Sequence, residues 1–237
     1  MPDAQDVLLE LRGVRKDYHG LRPLRIQQLA VHAGDSIALL GLDQAAAEVL
    51  VNLITGATLP DAGEVRAFGQ LTARIEDADA WLQLLDQFGI LSDRAVLLDN
   101  MTAEQNLAMP LSLSLLDMPE SVRSRVHALA EEIGLTPPEL GQGVAALSPS
   151  ARLRLRLGRA LALGPRLLLS EHPNASAPPE DLASFAADYS RIVASRGIAS
   201  LVLTADRAFA SAITSGVLTL QPATGELKSV TGWRRWL

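Results

Sequence analysis

The chain of 237 residues contains no cysteine, which excludes disulfides, thiolate metal sites and cysteine nucleophiles and fits a reducing compartment. Histidine is also scarce, and its four copies, His19, His32, His127 and His172, lack the spacing of zinc ligands. The sequence has no G-x-S-x-G elbow, no H-E-x-x-H helix and no G-x-G-x-x-G dinucleotide motif. We therefore predict no metal site and none of these three common catalytic or cofactor sites.

The sequence has no run of apolar residues that could cross a membrane. Its longest apolar stretch, residues 107–116, is interrupted by Pro110, whereas a spanning helix needs about 20 residues. Residues 1–10 lack the basic segment and apolar core of a signal peptide. We expect a cytoplasmic chain without direct membrane insertion, which reaches a membrane only through a partner protein.

Positive charge is in deficit, with 21 Lys and Arg residues against 27 Asp and Glu residues and a net charge of −6. No dense basic patch is visible, so no nucleic-acid partner is expected. Hydrophobic residues make up 48% of the chain, which is enough for one sizeable α/β core or two small lobes.

The hydrophobic pattern predicts strands and helices in alternation. Residues 7–14 and 24–31 resemble antiparallel strands, and the apolar run 36–40 resembles a buried parallel strand. A helix over 45–55 and a strand over 64–68 follow. The later part predicts a helix over 120–133, a strand over 166–170, a helix over 180–195, a strand over 198–204 and a hairpin of 217–220 with 227–230.

Residues 152–157 alternate arginine and leucine, a period that also fits an exposed strand. We predict a helix instead, because Ser148 and Pro149 form a good N-cap and first position and Gly164 a good stop. The whole pattern predicts one α/β domain with a mostly parallel sheet. Residues 1–88 and 164–237 form its core lobe, and 89–163 form a helical subdomain.

Several segments resemble the ATPase subunits of ABC transporters, in the family's order and spacing from about residue 8 to about residue 230. They are Ile37-Ala-Leu-Leu-Gly41, Leu59-Pro-Asp-Ala-Gly-Glu-Val65, the run 88–102, Glu104-Gln-Asn-Leu-Ala-Met-Pro-Leu111, Leu147-Ser148 and Gly164-Pro-Arg-Leu-Leu-Leu169. The stretch 97–111 most resembles the ATPases of bacterial lipid-transport systems of the Mla or MCE kind. The resemblance implies a P-loop NTPase-like ABC ATPase fold with N-terminal antiparallel strands.

In this family the phosphate loop reads G-x-x-x-x-G-K-[ST], and here the matching stretch is Gly41-Leu-Asp-Gln-Ala-Ala46-Ala47-Glu48. Only Gly41 matches: Ala46 adds a Cβ, Ala47 has no positive charge, and Glu48 replaces the magnesium-binding hydroxyl with an anion. At about 4 Å and an effective dielectric near 20, each like charge costs roughly 4 kcal/mol. That penalty turns a micromolar site into roughly a millimolar one, so we predict a degenerate nucleotide site.

The positions of the magnesium-binding aspartate and the catalytic glutamate fall on Glu171 and His172. Glu171 could hold magnesium through one carboxylate oxygen, and His172 could serve as a general base. Without a phosphate cradle there is nothing for them to activate, and we interpret both as former catalytic positions.

Three further family positions agree with this interpretation. The signature segment reads Leu147-Ser-Pro-Ser-Ala151, where Ser148 remains but Pro149 has no N–H to donate. The nucleotide-sensing glutamine falls on Asp93 and the switch histidine on Ala205. Only the adenine-stacking aromatic has a counterpart, Tyr18.

The leading hypothesis is a catalytically inactive subunit that pairs with itself or with an active ABC ATPase beneath a transmembrane permease, with no cofactor. Residues 93–101 would line the cleft that receives the permease. One alternative keeps ATP and magnesium binding. Another is a stand-alone module whose pocket of Asp43, Glu48, Glu171 and His172 holds a cation or an amine. Trp233 and Trp236 either anchor a partner or cover the end of the sheet.

Overall fold

The structure, a computed structural model, describes residues 7–230. Its strands are β1 (Val7–Lys16), β2 (Leu24–His32), β3 (Ser36–Leu40), β4 (Ala62–Ala67), β5 (Gln70–Leu71), β6 (Phe88–Leu91), β7 (Leu167–Glu171), β8 (Ala199–Leu203), β9 (Gly216–Leu220) and β10 (Leu227–Ser229). Its helices are α1 (Gln44–Ile54), α2 (Ala78–Leu85), α3 (Ala103–Ala108), α4 (Glu120–Glu132), α5 (Pro137–Gly141), α6 (Pro149–Leu161), α7 (Pro179–Arg196) and α8 (Arg207–Ile213).

The strands form two sheets. An antiparallel sheet has the order β2-β1-β4-β5, and a six-stranded sheet has the order β10-β9-β3-β8-β7-β6. In the second sheet β9, β3, β8, β7 and β6 are parallel, while β10 closes a terminal hairpin with β9. The predicted antiparallel pair, the buried strand at 36–40 and the hairpin are all confirmed. The helices between β6 and β7 form the predicted helical insertion.

Caps and glycines explain where the main helices begin and end. Ser148 caps α6 by accepting a hydrogen bond from the Ala151 N–H, with Pro149 at the first position, so the predicted helix start is confirmed. Helix α4 ends beside Gly134 at φ +74°, and α7 ends at Gly197 at φ +61°, a left-handed conformation that glycine adopts readily.

Two apolar clusters hold the layers together. One lies between the two sheets and α1, where Leu9, Ile37 and Leu50 are fully buried. The other joins the opposite face of the parallel sheet to α7, α8 and the helical insertion, with Leu107 and Ile192 at its centre. The insertion and the core lobe therefore share one continuous apolar interior.

The structure departs from the sequence predictions in three places. Strand β6 pairs with β7, so the parallel sheet extends past the boundary predicted at residue 88. Helices α2, α3, α5 and α8 were not predicted individually, because each is short. Helix α6 buries Leu155 as well as Leu153, Leu157 and Leu161, more than the single face of a surface helix, because the sheet lobe and the insertion contact it from two sides.

No helix within residues 7–230 is long and apolar enough to cross a membrane. Trp233 and Trp236, for which two roles were left open, lie outside the described residues.

Candidate functional site

The candidate site begins at the turn from β3 into α1, where the phosphate loop was expected. Helix α1 already starts at Gln44, so residues 44–48 are helical and do not form an open loop. The Asp43 carboxylate caps this helix by accepting a 2.8 Å hydrogen bond from the Ala46 N–H, and the Asp43 carbonyl accepts one of 2.9 Å from the Ala47 N–H. Amides that would surround a phosphate therefore donate within the chain, and the helix N-terminus has its own anion.

Gly41 has a structural reason to be glycine here. Its φ is +97°, and a Cβ at this position would lie 2.9 Å from the Leu220 carbonyl oxygen of the neighbouring strand. Ala46 and Ala47 are buried in the apolar cluster between the sheets, Ala47 completely. The Ala47 methyl therefore packs into the core, and Gly41 is explained without a phosphate.

The Arg94 guanidinium provides a cation that the sequence analysis did not anticipate. Its Nε and Nη2 atoms donate to the Glu171 Oε2 atom at 3.1 and 2.8 Å. Its Nη1 atom lies 3.4 Å from the Glu48 carboxylate. The resemblance assigned both of these positions to magnesium binding, and here an arginine from the same chain joins them.

Both carboxylate oxygens of Glu171 accept hydrogen bonds from neighbouring side chains. Its side chain is fully buried at the end of β7, where Gln44 donates to Oε1 at 2.7 Å and Ser92 donates to Oε2 at 3.1 Å. With Arg94, the carboxylate receives four hydrogen bonds from three side chains, so its charge is compensated without a metal ion. The sequence alone offered one indication of this ion pair. Two carboxylates at the expected site, Glu48 and Glu171, favour a nearby cation, and Arg94 directly follows the site residue Asp93.

His172 is turned away from the role of a general base. Its backbone is in the left-handed region at φ +43° and ψ +48°, and its N–H donates 2.8 Å to the Leu203 carbonyl. Only 9% of the residue is exposed, and its Nε2 atom is buried without a hydrogen-bond partner in the described part of the chain. The imidazole is therefore enclosed at the strand-to-turn junction, and no described carboxylate or hydroxyl contacts its Nε2 atom.

Asp93, at the position of the nucleotide-sensing glutamine, binds within the chain. Its Oδ1 atom lies 3.1 Å from Arg156 Nη1 of α6 and accepts a 2.5 Å hydrogen bond from Ser176. Ser176 ends a short 3₁₀ turn, Pro173–Ser176, that follows β7. Asp93 thus joins α6 to this turn.

Both hydroxyls of the signature segment are also engaged internally. Ser148 caps α6, and Ser150 donates a short hydrogen bond to Asp181 at the start of α7. Pro149 has no N–H, and the Ala151 N–H is bonded to Ser148. The segment therefore acts in this structure as a helix start.

This capping role predicts the effect of one substitution. Ser148→Ala is expected to lower the free energy of unfolding by about 1 kcal/mol, because the first turn of α6 loses its side-chain acceptor. Ser148→Asp should retain wild-type stability, because aspartate caps equally well. Urea denaturation of the two variants measures the difference, and equal losses in both would contradict the capping role.

Ala205, at the switch-histidine position, presents only a methyl group to solvent. The preceding Thr204 is buried and donates 2.8 Å to the Asn174 carboxamide, while the Asp206 N–H donates to the Thr204 hydroxyl. These bonds connect the end of β8 to the 3₁₀ turn after β7. Residue 205 itself is an alanine, so it offers a phosphate no titratable group.

Tyr18 borders a cleft of about 420 Å³ that also includes Gly41, Asp43 and Ala46. Its ring lies against the backbone of Gly20, where a Cβ would be 2.6 Å from the ring. Burial, and then the Asp43 carboxylate, raise the pKa of the Tyr18 hydroxyl. A cleft is therefore present beside the expected adenine position, and Asp43 lines it at the end next to the start of α1.

The structure does not assemble the pocket of Asp43, Glu48, Glu171 and His172 predicted for a cation or an amine. Asp43 caps α1, Glu48 and Glu171 bind Arg94, and the cleft beside Tyr18 includes only Asp43 of the four. Among residues 7–230 no group of three or more His, Asp or Glu side chains could hold a metal ion. Arg94 thus already neutralises the two glutamates to which a cation or an amine was predicted to bind.

The chain is similar in sequence to ATP-binding proteins of several transport systems. It is 28% identical over 204 residues to the methionine import ATP-binding protein MetN of Brucella abortus, covering 86% of this chain and 54% of that protein. It is 30% identical over 191 residues to the lipoprotein-releasing system ATP-binding protein LolD of Alcanivorax borkumensis, covering 81% and 83%. The chain thus spans about half the length of the MetN proteins that it matches.

Solved structures share its fold. A dimeric structure of MJ0796, a bacterial ABC transporter cassette, superposes with a TM-score of 0.78 at 19% identity, covering 95% of this chain and 100% of that one. The cbiO1 protein of Clostridium perfringens gives the same TM-score at 17% identity, covering 94% and 87%. These likenesses confirm the predicted ABC ATPase fold. Residues 24–175 match the family model described as ABC transporter, and with the identity to LolD this match shows that the chain belongs to the ABC transporter family.

Proposed function

We propose that this chain is a catalytically inactive subunit of a bacterial ABC transporter, retained for assembly or regulation. The observation that carries the proposal is the ion pair of Arg94 with the buried Glu171 carboxylate. In an active family member the residue at this position binds magnesium. Here its hydrogen-bonding capacity is used by Arg94, Ser92 and Gln44.

The substitutions affect both surfaces that an ABC dimer would bring together. On the phosphate side, Asp43 caps α1 and Glu48 adds a second carboxylate. On the signature side, Ser148 and Ser150 bind within the chain. A heterodimer containing this subunit would have no complete composite site, which favours a scaffolding or regulatory role over a half-active motor.

The proposed partners are a transmembrane permease and a second ABC ATPase, or a second copy of this chain. Support comes from the MJ0796 cassette, whose structure is dimeric, and from LolD, named as part of a lipoprotein-releasing system. The chain would then lie on the cytoplasmic face of the inner membrane, attached through the permease.

We further propose a lipid as the cargo of this transporter, of the Mla or MCE type. The proposal rests on the resemblance of residues 97–111 to that subfamily. Relatives named for methionine import and pyoverdine export show how widely cargo varies within the family. Mass spectrometry of lipids retained by the purified complex tests it, and a complex without specifically enriched lipid would count against it.

Hydrolysis gives the direct test. The purified chain with magnesium ATP is expected to release phosphate no faster than a protein-free control, because no residue at positions 47, 48 or 172 can do the required chemistry. LolD of Alcanivorax borkumensis, assayed alongside, is the positive control. Magnesium-dependent turnover that disappears in Glu171→Gln would overturn the proposal.

Assembly is tested separately by affinity purification of the tagged chain from detergent-solubilised membranes. We expect a multi-span permease to be recovered, together with an ABC ATPase or an untagged copy of this chain. A monomer that captures neither would contradict the assembly role while leaving catalytic inactivity unaffected.

The second candidate function is a subunit that still binds nucleotide. The cleft of about 420 Å³ beside Tyr18 favours it, because its volume lies within the range of small-molecule sites. A nucleotide there would place its phosphates towards Asp43, and calorimetric titration with magnesium ATP separates the two candidates.

A further inference from the structure

Residues 92–98, here called the connector, link strand β6 of the sheet to the helical insertion. Its side chains and backbone bind to elements on both sides of this junction. Three of its residues, Asp93, Arg94 and Val96, are exposed, yet the segment is fixed by bonds at almost every position.

On the sheet side, the connector is attached to β7 and α1. Ser92 and Arg94 both donate to the buried Glu171 carboxylate. Arg94 also reaches Glu48 and the Asn52 carboxamide of α1, at 3.4 and 3.5 Å. Hydrogen bonds to ionised partners are about twice as strong as neutral ones, so the attachment to Glu171 is the strongest on this side.

On the helical side, the connector is attached to α6 and α3. Asp93 pairs with the partly buried Arg156 of α6, and Arg159 of the same helix donates 2.5 Å to the Val96 carbonyl. The fully buried Asn106 of α3 accepts from the Leu98 N–H at 2.9 Å and donates to its carbonyl at 3.1 Å. Both lobes thus hold the same seven residues.

We propose that the connector is a polar latch that fixes the helical insertion against the α/β core in one arrangement, without any nucleotide. An ordinary link of seven residues between two packed lobes would be free to change its dihedral angles. Here the latch takes its bonds from α1, α3, α6, β7 and the 3₁₀ turn after β7, so moving the insertion breaks several of them together.

The latch also determines how the chain meets a partner. Val96 is 69% exposed, while its carbonyl accepts a hydrogen bond from Arg159. The connector therefore presents a preformed surface, and a partner that docks there need not order it first. This inference does not depend on whether the chain hydrolyses ATP.

Hydrogen exchange of the full chain, followed by mass spectrometry, tests the latch. The informative amides are Arg94 and Ala95, bonded to Ser92, and Leu98, bonded to Asn106. In Arg94→Gln and in Arg156→Gln these amides are expected to exchange at least about tenfold faster, a change of about 1.4 kcal/mol in local opening. Strands β3 and β8 should keep wild-type rates, which separates local release from global unfolding.

Arg74→Gln is the matched control, because Arg74 is exposed and makes no hydrogen bond or ion pair within residues 7–230. It should leave every rate unchanged. Millimolar magnesium ATP should also leave the connector rates of the wild type unchanged. The proposal is overturned if the wild-type connector exchanges like an unstructured peptide, if neither arginine variant accelerates it, or if ATP changes its protection. Should Arg94→Gln fail to fold, Arg156→Gln alone decides.

Discussion

Magnesium ATP is expected to bind the wild-type chain with a dissociation constant of about 1 mM or weaker. The N-terminus of α1 already holds the Asp43 carboxylate, and Glu48 adds a second negative charge one helical turn later. A like charge about 4 Å away at an effective dielectric near 20 costs roughly 4 kcal/mol, which is about a thousandfold in affinity. Isothermal titration calorimetry measures this, and saturable micromolar binding would contradict it.

A variant without the negative charges of Asp43 and Glu48 tells whether ATP is excluded by charge repulsion or by the missing phosphate-binding residues. Asp43→Asn with Glu48→Gln keeps the helix cap, because asparagine caps as well as aspartate, and keeps the shape of both side chains. Its affinity for ATP is expected to rise at least about tenfold and to remain well short of micromolar, since no lysine is present. A variant that binds no better than wild type would show that repulsion is not the obstacle.

The Arg94→Ala variant is expected to lose about 2–3 kcal/mol in the free energy of unfolding. The Glu171 carboxylate would keep its buried position with only Gln44 and Ser92 as neutral donors. Removing one partner of a fully buried pair costs more, but the Arg94 side chain is 39% exposed, so water can replace part of its contribution. Urea denaturation with a common m-value measures the loss.

A double variant tests whether the stability lost in Arg94→Ala comes from the buried Glu171 charge left without its cation. Arg94→Ala with Glu171→Gln is expected to recover at least half of it, because the buried group left behind is then neutral. Arg74→Ala, at an exposed position away from the site, should change stability by less than about 0.5 kcal/mol. If the double variant is less stable than Arg94→Ala, the ion pair is not what stabilises Glu171.

The fold was largely predictable because its buried strands are short apolar runs bounded by turn residues. The run 36–40 coincides with β3, and Ser148 with Pro149 marks the start of α6. Helices α2, α3, α5 and α8 were not predicted, since helices of eight or fewer residues offer little periodicity. Strand β6 was assigned to the helical side because its role depends on pairing with β7, a contact distant in sequence.

For the candidate site, the sequence predicted which motif residues are replaced, but not which contacts the replacing residues make. Motif spacing located the positions of Glu48, Glu171 and Ala205 without revealing what replaced their partners. The contact of Arg94 with Glu171 joins residues 77 apart, and it depends on the connector folding back over the sheet. A pattern of neighbouring residues cannot predict a contact between residues so far apart in the sequence. Ala47 is a second example, because its burial follows from where α1 begins.

The Arg94 bridge has a consequence for substitutions that would restore the family's motif residues. Replacing Glu48 with threonine removes a partner of Arg94, and shortening Glu171 to aspartate loosens its bonds to three side chains. Ala46→Gly costs roughly 1 kcal/mol in helix propensity, and a lysine at position 47 would start from a fully buried site. Each of these four substitutions towards the family's motifs is therefore expected to lower stability on its own, so selection for stability alone would oppose all four.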